Sequence, residues 1–184
     1  MAAFLGPERP LRLWFEDEAR LGLHLPRYRR VTARGVRPKQ PFQPLYEYYW
    51  LYGAVEPKTG ESFYLEMPTL DQDCFTVFLA EFGRHYAASI NVVVLARAPA
   101  HTADSVVVQE NVVLLFLPAY SPELNPVERL WLAVRQQIDV FDGAVRTELE
   151  ALREHVAGIV RSFTKSEVAR LTGYNYILDA VRAL

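Results

Sequence analysis

Residues 115–131 read Leu-Phe-Leu-Pro-Ala-Tyr-Ser-Pro-Glu-Leu-Asn-Pro-Val-Glu-Arg-Leu-Trp, an apolar strand that passes through a proline-punctuated loop into an amphipathic helix. Asn125 suits the N-cap and Pro126 the first helical position, where a fixed φ is useful and a missing N–H costs nothing. Val127, Leu130, Trp131, Val134 and Ile138 then recur on one helical face. Glu128 falls at the edge of that face. It fits a capping box, reaching back to the Asn125 N–H. It also fits a half-buried position, with its carboxylate turned toward the strand that the helix covers.

The upstream chain can be placed relative to this helix. Leu11 to Phe15 is a short apolar run that ends in Glu16, Asp17 and Glu18, three acids crowded at a strand end. Alternation sends Asp17 to one face and its two neighbours to the other. Such a cluster is ordinarily a solvated strand end. Tyr46 to Val55 and Ser62 to Met67 alternate around a turn at Pro57 to Gly60 and read as a β-hairpin, its aromatics packing in the sheet. Thr69 with Gln72 opens a helix whose buried stripe is Phe75, Phe78, Leu79, Phe82 and Tyr86. Ile90 to Leu95 and Val112 to Leu117 read as two buried strands. Two further helices close the chain, with capping-box starts at Thr147 with Glu150 and at Thr164 with Glu167. Leu149, Leu152, Val156, Ile159 and Phe163 are the buried positions of the first of them.

At 184 residues and 51% hydrophobic content, the chain is long enough for one domain with a full core, expected to span residues 1–184. The formal net charge of -2 gives no bulk basicity, so binding of nucleic acid has to come from a local patch. One such patch exists, from Arg27 to Lys39, where Arg27, Arg29, Arg30, Arg34, Arg37 and Lys39 occur without an acid. Arginines on a Gly- and Pro-bearing loop suit bidentate contacts to phosphate, although a charge run is more often a solvated face. The single cysteine, Cys74, cannot form an internal disulfide and fits a packing role in a reducing compartment. With no signal-peptide pattern and no run of the ~18 apolar residues of a membrane span, a cytoplasmic protein is expected.

The string Ser-Pro-Glu-Leu-Asn-Pro-Val-Glu-Arg-Leu-Trp resembles the stretch that carries the last catalytic acid of the mariner-like DDE transposases of bacterial insertion sequences. The order of elements, an antiparallel meander followed by strands alternating with helices, is that of the RNase H-like fold. The expectation is therefore an α/β domain with a mixed five-stranded sheet and helices on both faces. The resemblance runs most clearly from Leu13 to Gln137. It implies helix-turn-helix DNA-binding domains ahead of the catalytic domain, which are expected to be absent from this chain.

The resemblance also implies a chemistry, in which a pair of Mg²⁺ or Mn²⁺ ions ~4 Å apart acts on phosphodiesters and is held by three acids. Carried over residue by residue, the first acid is Asp17 and the third is Glu128, both as catalytic residues and metal ligands. The second falls on Ala96, where Val-Val-Val-Leu-Ala-Arg-Ala-Pro-Ala-His has alanine in place of the family's aspartate. Asp104 lies beyond the strand end. His101 matches the family's histidine after the second acid, and site support or DNA contact stands level with an ordinary hydrogen-bonded structural role. Asn125 is placed to support the site from the helix start.

The implied partner is DNA, as transposon ends and target, with no membrane. A second copy of the chain and a separate DNA-binding half are left open as partners. The function read from the sequence is metal-dependent strand cleavage and transfer, impaired by Ala96. A catalytically silent DNA-binding or subunit-interaction module that regulates a transposase is the alternative that Ala96 favours. An RNase H-like nuclease acting on another nucleic acid is a third reading.

Overall fold

In the computed structural model the first strand is β1, Leu11–Gly22, and it is longer than the sequence expectation. The structure describes residues 9–23, 34–35, 45–140 and 148–182. Glu16, Asp17 and Glu18 do not end the strand. They sit in its middle, where the antiparallel ladder on one edge of the strand runs on to Gly22.

β1 pairs antiparallel with β2, Tyr48–Glu56, which pairs antiparallel with β3, Glu61–Met67. The turn between β2 and β3 holds Gly60 at φ 74°, and the carbonyl of Lys165 occupies the space a Cβ would need. On its other edge β1 runs parallel to β4, Ile90–Leu95, which runs parallel to β5, Val112–Phe116. The sheet order is β3-β2-β1-β4-β5. This is the RNase H-like arrangement, a mixed five-stranded sheet. β5 differs from the buried strand expected of its sequence. It is an edge strand, and Val113 and Leu115 are exposed.

One face carries α1, Gln72–His85, whose Phe75, Phe78, Leu79 and Phe82 pack with Trp14, Tyr52, Ala54, Val93 and Leu95. Its cap is Asp71, whose Oδ1 accepts from the Cys74 N–H at 2.8 Å, and not Thr69. The opposite face carries α3, Val127–Val140, and α4, Leu149–Ser162. Leu130, Trp131, Val134, Leu152 and Val156 pack there against Phe15, Ala19, Leu51 and Val55. A short helix, α2, Pro99–Thr102, lies between β4 and β5.

The end of the chain differs from the two helices expected. α4 starts after Glu148, which makes no side-chain cap bond, and Thr147 lies outside the described residues. Two more helices follow, α5, Lys165–Thr172, and α6, Asn175–Arg182. The Thr164–Glu167 capping box that opens α5 forms as its spacing predicts. Among the described residues no helix is long and apolar enough to cross a membrane.

Candidate active site

The start of α3 is fastened to β1 by one side chain. Asn125 is buried; its Nδ2 donates to the Glu16 carbonyl at 2.8 Å and its Oδ1 accepts from the Val127 N–H at 3.2 Å. Both ends of the amide are thus used, one to cap the helix and one to satisfy a carbonyl in the middle of β1. The backbone N–H of Asn125 is taken by the Pro122 carbonyl at 2.9 Å, at the close of a 3₁₀ turn over Pro122–Leu124. The capping-box donor for Glu128 is therefore already occupied. Glu128 is exposed, more so than the half-buried position expected, and faces a cleft.

Asp17 faces the same cleft from β1. Its position follows from register: β1 pairs with β4 as far as Phe15 opposite Val94, but continues beside β2 to Gly22. Asp17 therefore stands where β1 outruns β4, at the carboxyl ends of the parallel strands, where open α/β sheets form their crevices. The cleft has a volume of about 410 Å³ and includes Asp17, Ala96, Asn125 and Glu128 in its wall. The proline-rich loop supplies another wall, with Leu117, Pro118, Tyr120 and Pro122. The three positions singled out from the sequence, two acids and one alanine, are brought together in one cavity.

The Trp131 Nε1–H donates to Asp17 Oδ2 at 2.9 Å. Burial, then the charge of Glu128 and then that of Glu18, raise the Asp17 carboxyl, while the Trp131 and Glu18 N–H groups pull it down. The balance leaves it pushed up to about 7. The sequence showed Trp131 as a core residue on the helical stripe, and its polar edge was missed because the partner is 114 residues away. Arg97, also missed, lines the cleft, with its guanidinium 5.1 Å from the Phe116 ring centroid. Tyr120 was read only as part of the motif. It stands fully exposed at the cleft with a φ of 59°.

The other two acids of β1 point to the opposite face. Glu18 Oε1 lies 2.6 Å from His101 Nε2, and His101 Nδ1 lies 2.8 Å from the Ala96 carbonyl. His101 is buried against the Phe75 ring, with ring centroids 4.4 Å apart. It braces the chain segment that carries Ala96 and does not open onto the cleft. Burial lowers the His101 pKa, but the hydrogen bond and charge of Glu18 outweigh it, and the net shift is upward. Glu16 is fully enclosed, not solvated as a strand-end acid would be, and burial, then Glu18, then Asp17 hold its carboxyl well above the usual range.

Two carboxylates facing one cleft suit a hard divalent cation, which takes oxygen ligands. Burial raises Asp17 most, and the charge of Glu128 adds to it; such a cation removes that repulsion. Asp17 and Glu128 fit one ion, with water completing its shell. They fall short of a pair of ions, because Ala96 offers no shared oxygen. Of the basic segment, Arg34 is in an exposed turn beside Gly35, while Arg27, Arg29, Arg30, Arg37 and Lys39 lie outside the described residues.

Fold and site together define an RNase H-like α/β domain with a carboxylate-lined cleft at its strand ends. The sequence profile of the DDE superfamily endonucleases matches residues 12–146, and the chain belongs to that family. It is 38% identical over 87 residues to the uncharacterized protein y4pE/y4sA of Sinorhizobium fredii (strain NBRC 101917 / NGR234), a match covering 47% of this chain and 64% of that protein. Its fold is similar to that in the Mos1 mariner paired-end complex with Mn, with a TM-score of 0.68 and 16% identity over 88% of this chain and 52% of that one. It is also similar to the Mos1 transposase paired-end complex with left transposon end, with a TM-score of 0.63, 16% identity, and coverage of 88% and 51%. The chain thus spans about half the length of the solved chains it resembles.

Proposed function

We propose that this chain is the catalytic domain of an insertion-sequence transposase, in which Asp17 and Glu128 bind a divalent metal ion beside the scissile phosphodiester of a transposon end. The observation that carries this reading is the meeting of Asp17, Ala96 and Glu128 in one cleft of an RNase H-like fold. The similar Mos1 structures, a paired-end complex with Mn and one with a left transposon end, agree with a metal and a DNA end as ligands. When bound, a divalent ion supplies charge neutralisation and Lewis acidity at the phosphate. Asp17 and Glu128 hold it, Trp131 fixes the Asp17 carboxylate, and Asn125 locks the helix that bears Glu128 to the strand that bears Asp17. The arginines of residues 27–39 clamp the DNA backbone, and a second copy of the chain and a separate DNA-binding half complete the assembly in the cytoplasm.

Ala96 removes the ligand that two ions would share, so cleavage by the chain as it stands is impaired. The same alanine favours a second reading, a catalytically silent module that binds DNA or another transposase subunit. Both are tested with Ala96→Asp protein, supplied with a DNA-binding half, on terminal-repeat DNA and on an RNA/DNA hybrid with Mg²⁺ or Mn²⁺. Metal-dependent nicking confined to the DNA end, and lost again with Asp17→Asn, supports the transposase. Silence on every substrate moves the reading to the regulatory module, and preference for the hybrid moves it to a nuclease on another nucleic acid.

A further inference from the structure

On the face of β1 turned away from Asp17, Glu16, Glu18 and His101 each bring one ligand atom to within 4.8 Å of the others. This cluster is walled off from the cleft by the sheet. Glu16 is 0% exposed, and neither of its carboxylate oxygens has a hydrogen-bond partner. Buried carboxylates are nearly always satisfied by donors, and a fully enclosed one that lacks them lacks some positive partner, whether a proton or a cation.

The imidazole beside it is already oriented for the second possibility. The Ala96 carbonyl can only accept, so His101 Nδ1 carries the hydrogen and donates across 2.8 Å. This turns Nε2 toward the two glutamates. A backbone carbonyl that fixes one ring nitrogen and aims the other at a ligand site is the usual outer support of a metal-binding histidine. Phe75 covers the ring and restricts water there.

We propose that Glu16, Glu18 and His101 form a second metal site, distinct from the Asp17–Glu128 cleft, that takes one divalent transition-metal ion of the Zn²⁺ class. His101 Nε2 now lies 2.6 Å from Glu18 Oε1; an entering ion displaces the hydrogen between them and the proton of Glu16 to solvent, after which two carboxylates and one neutral imidazole carry a charge of about -2, which a dication cancels within the buried space. A nitrogen donor among the oxygens favours Zn²⁺ or Mn²⁺ over Mg²⁺. Ligand atoms around a tetrahedral ion at ~2.0–2.1 Å stand roughly 3.4 Å apart, which small side-chain rotations reach from the spacing present. A site with three protein ligands leaves a fourth position for water. The ion ties the middle of β1 to the segment after β4, behind the residues that shape the cleft. This inference goes beyond the proposed function and does not depend on it.

The test is metal uptake by the full chain after chelator dialysis, with Zn²⁺ followed by calorimetry and elemental analysis and Co²⁺ followed by visible absorption. It is made first in an Asp17→Asn/Glu128→Gln background that silences the cleft. One Zn²⁺ per chain, a tetrahedral Co²⁺ spectrum and a raised Tm are expected there. Glu16→Gln is isosteric with a protonated glutamic acid and should fold, and it should weaken Zn²⁺ binding by at least tenfold. His101→Gln should do the same and abolish the Co²⁺ bands. No uptake by the cleft-silenced protein, or unchanged Zn²⁺ affinity in folded Glu16→Gln protein, overturns the site and leaves a proton as the partner of Glu16.

Discussion

Trp131 donates its indole hydrogen to Asp17 Oδ2 at 2.9 Å, and the far edge of the same ring lies over Gly53, the residue opposite Asp17 in the β1–β2 ladder. A Cβ on Gly53 would stand 2.5 Å from Trp131 Cη2. The glycine is there so that the indole can lie against the strand. The ring is thereby wedged between α3 and the sheet at the one height where it meets Asp17.

Gly53→Ala should push the indole off this seat, costing about 1–3 kcal/mol of stability as an overpacked core does. It should also loosen the bond to Asp17. Trp131→Phe removes the donor while keeping an aromatic ring, at a cost of about 1–3 kcal/mol from the lost bond and the smaller volume. Because the indole N–H pulls the Asp17 pKa down, both variants should raise it further. Denaturant unfolding and NMR titration of the Asp17 carboxyl measure the two effects. An unmoved titration in Trp131→Phe would show that the bond does not hold the carboxylate.

The Asp17 pKa also makes stability depend on pH. Its carboxyl rises from an ordinary 3.8 to about 7 on folding, so between those values the folded chain keeps a proton that the unfolded chain releases. Asp17 therefore costs the fold progressively more as pH climbs from about 4 to about 7, with no further change above. Asp17→Asn removes the charge and should gain on the wild type by on the order of 2 kcal/mol between pH 4 and pH 8, less than full linkage gives because the cleft admits solvent. Unfolding in chelator at the two pH values measures this. The same advantage at both would contradict the raised pKa.

Asn125 joins two elements with one amide, and its variants separate the two jobs. Asn125→Ala loses the cap and strands the Glu16 carbonyl, which should cost about 2–3 kcal/mol. Asn125→Asp keeps an acceptor for the Val127 N–H but turns a second acceptor toward that carbonyl. It should be no better than alanine, although aspartate is a good cap at an exposed helix end. Thermal unfolding ranks the three proteins, and a stable aspartate variant would mean that the bond to Glu16 contributes little.

Much of this was legible in the sequence, for physical reasons that differ by element. The stripe Val127, Leu130, Trp131, Val134 and Ile138 gave α3 because helical periodicity survives in a single sequence, and all five are buried. The run Ile90–Leu95 gave β4 because a short, nearly continuous β-branched stretch suits a strand covered on both faces. The extent of β1 was not legible. Glu16 and Glu18 look like strand terminators, and the partner that Glu18 meets in the interior, His101, is 83 residues away. Nor does apolar content separate a central strand from an edge strand, which is why β5 read as buried. At α1 the capping-box spacing of Thr69 and Gln72 points to Thr69 as the cap, whereas Asp71 caps the helix and the hydroxyl of Thr69 donates to the Asp71 carboxylate. In the site, the resemblance of the 121–131 string to the family placed Asp17 and Glu128 on elements that do meet, where residue types alone read as a strand end and a capping box, whereas Trp131 and Arg97 depend on contacts that no local pattern records.

Ala96 is the position where the fold and the chemistry set opposite demands. Burial and then the charge of Glu128 already raise the Asp17 pKa, and Ala96→Asp places a third carboxylate in the same cleft. Without metal, that variant should lose about 1–2 kcal/mol of stability at pH 8 and regain most of it at pH 5, where the acids share protons. With Mg²⁺ the order should reverse, because the ligand that binds only the folded chain stabilises it in proportion to its affinity, and three carboxylates bind more tightly than two. The wild type should show only weak single-ion binding, and Ala96→Asp at least a tenfold gain that Glu128→Gln removes. Thermal shifts across a Mg²⁺ titration at both pH values measure this without any cleavage assay. A variant destabilised equally at both pH values and indifferent to Mg²⁺ would mean that the side chain at position 96 points away from Asp17, and the assignment of Ala96 to the second acid position would be wrong.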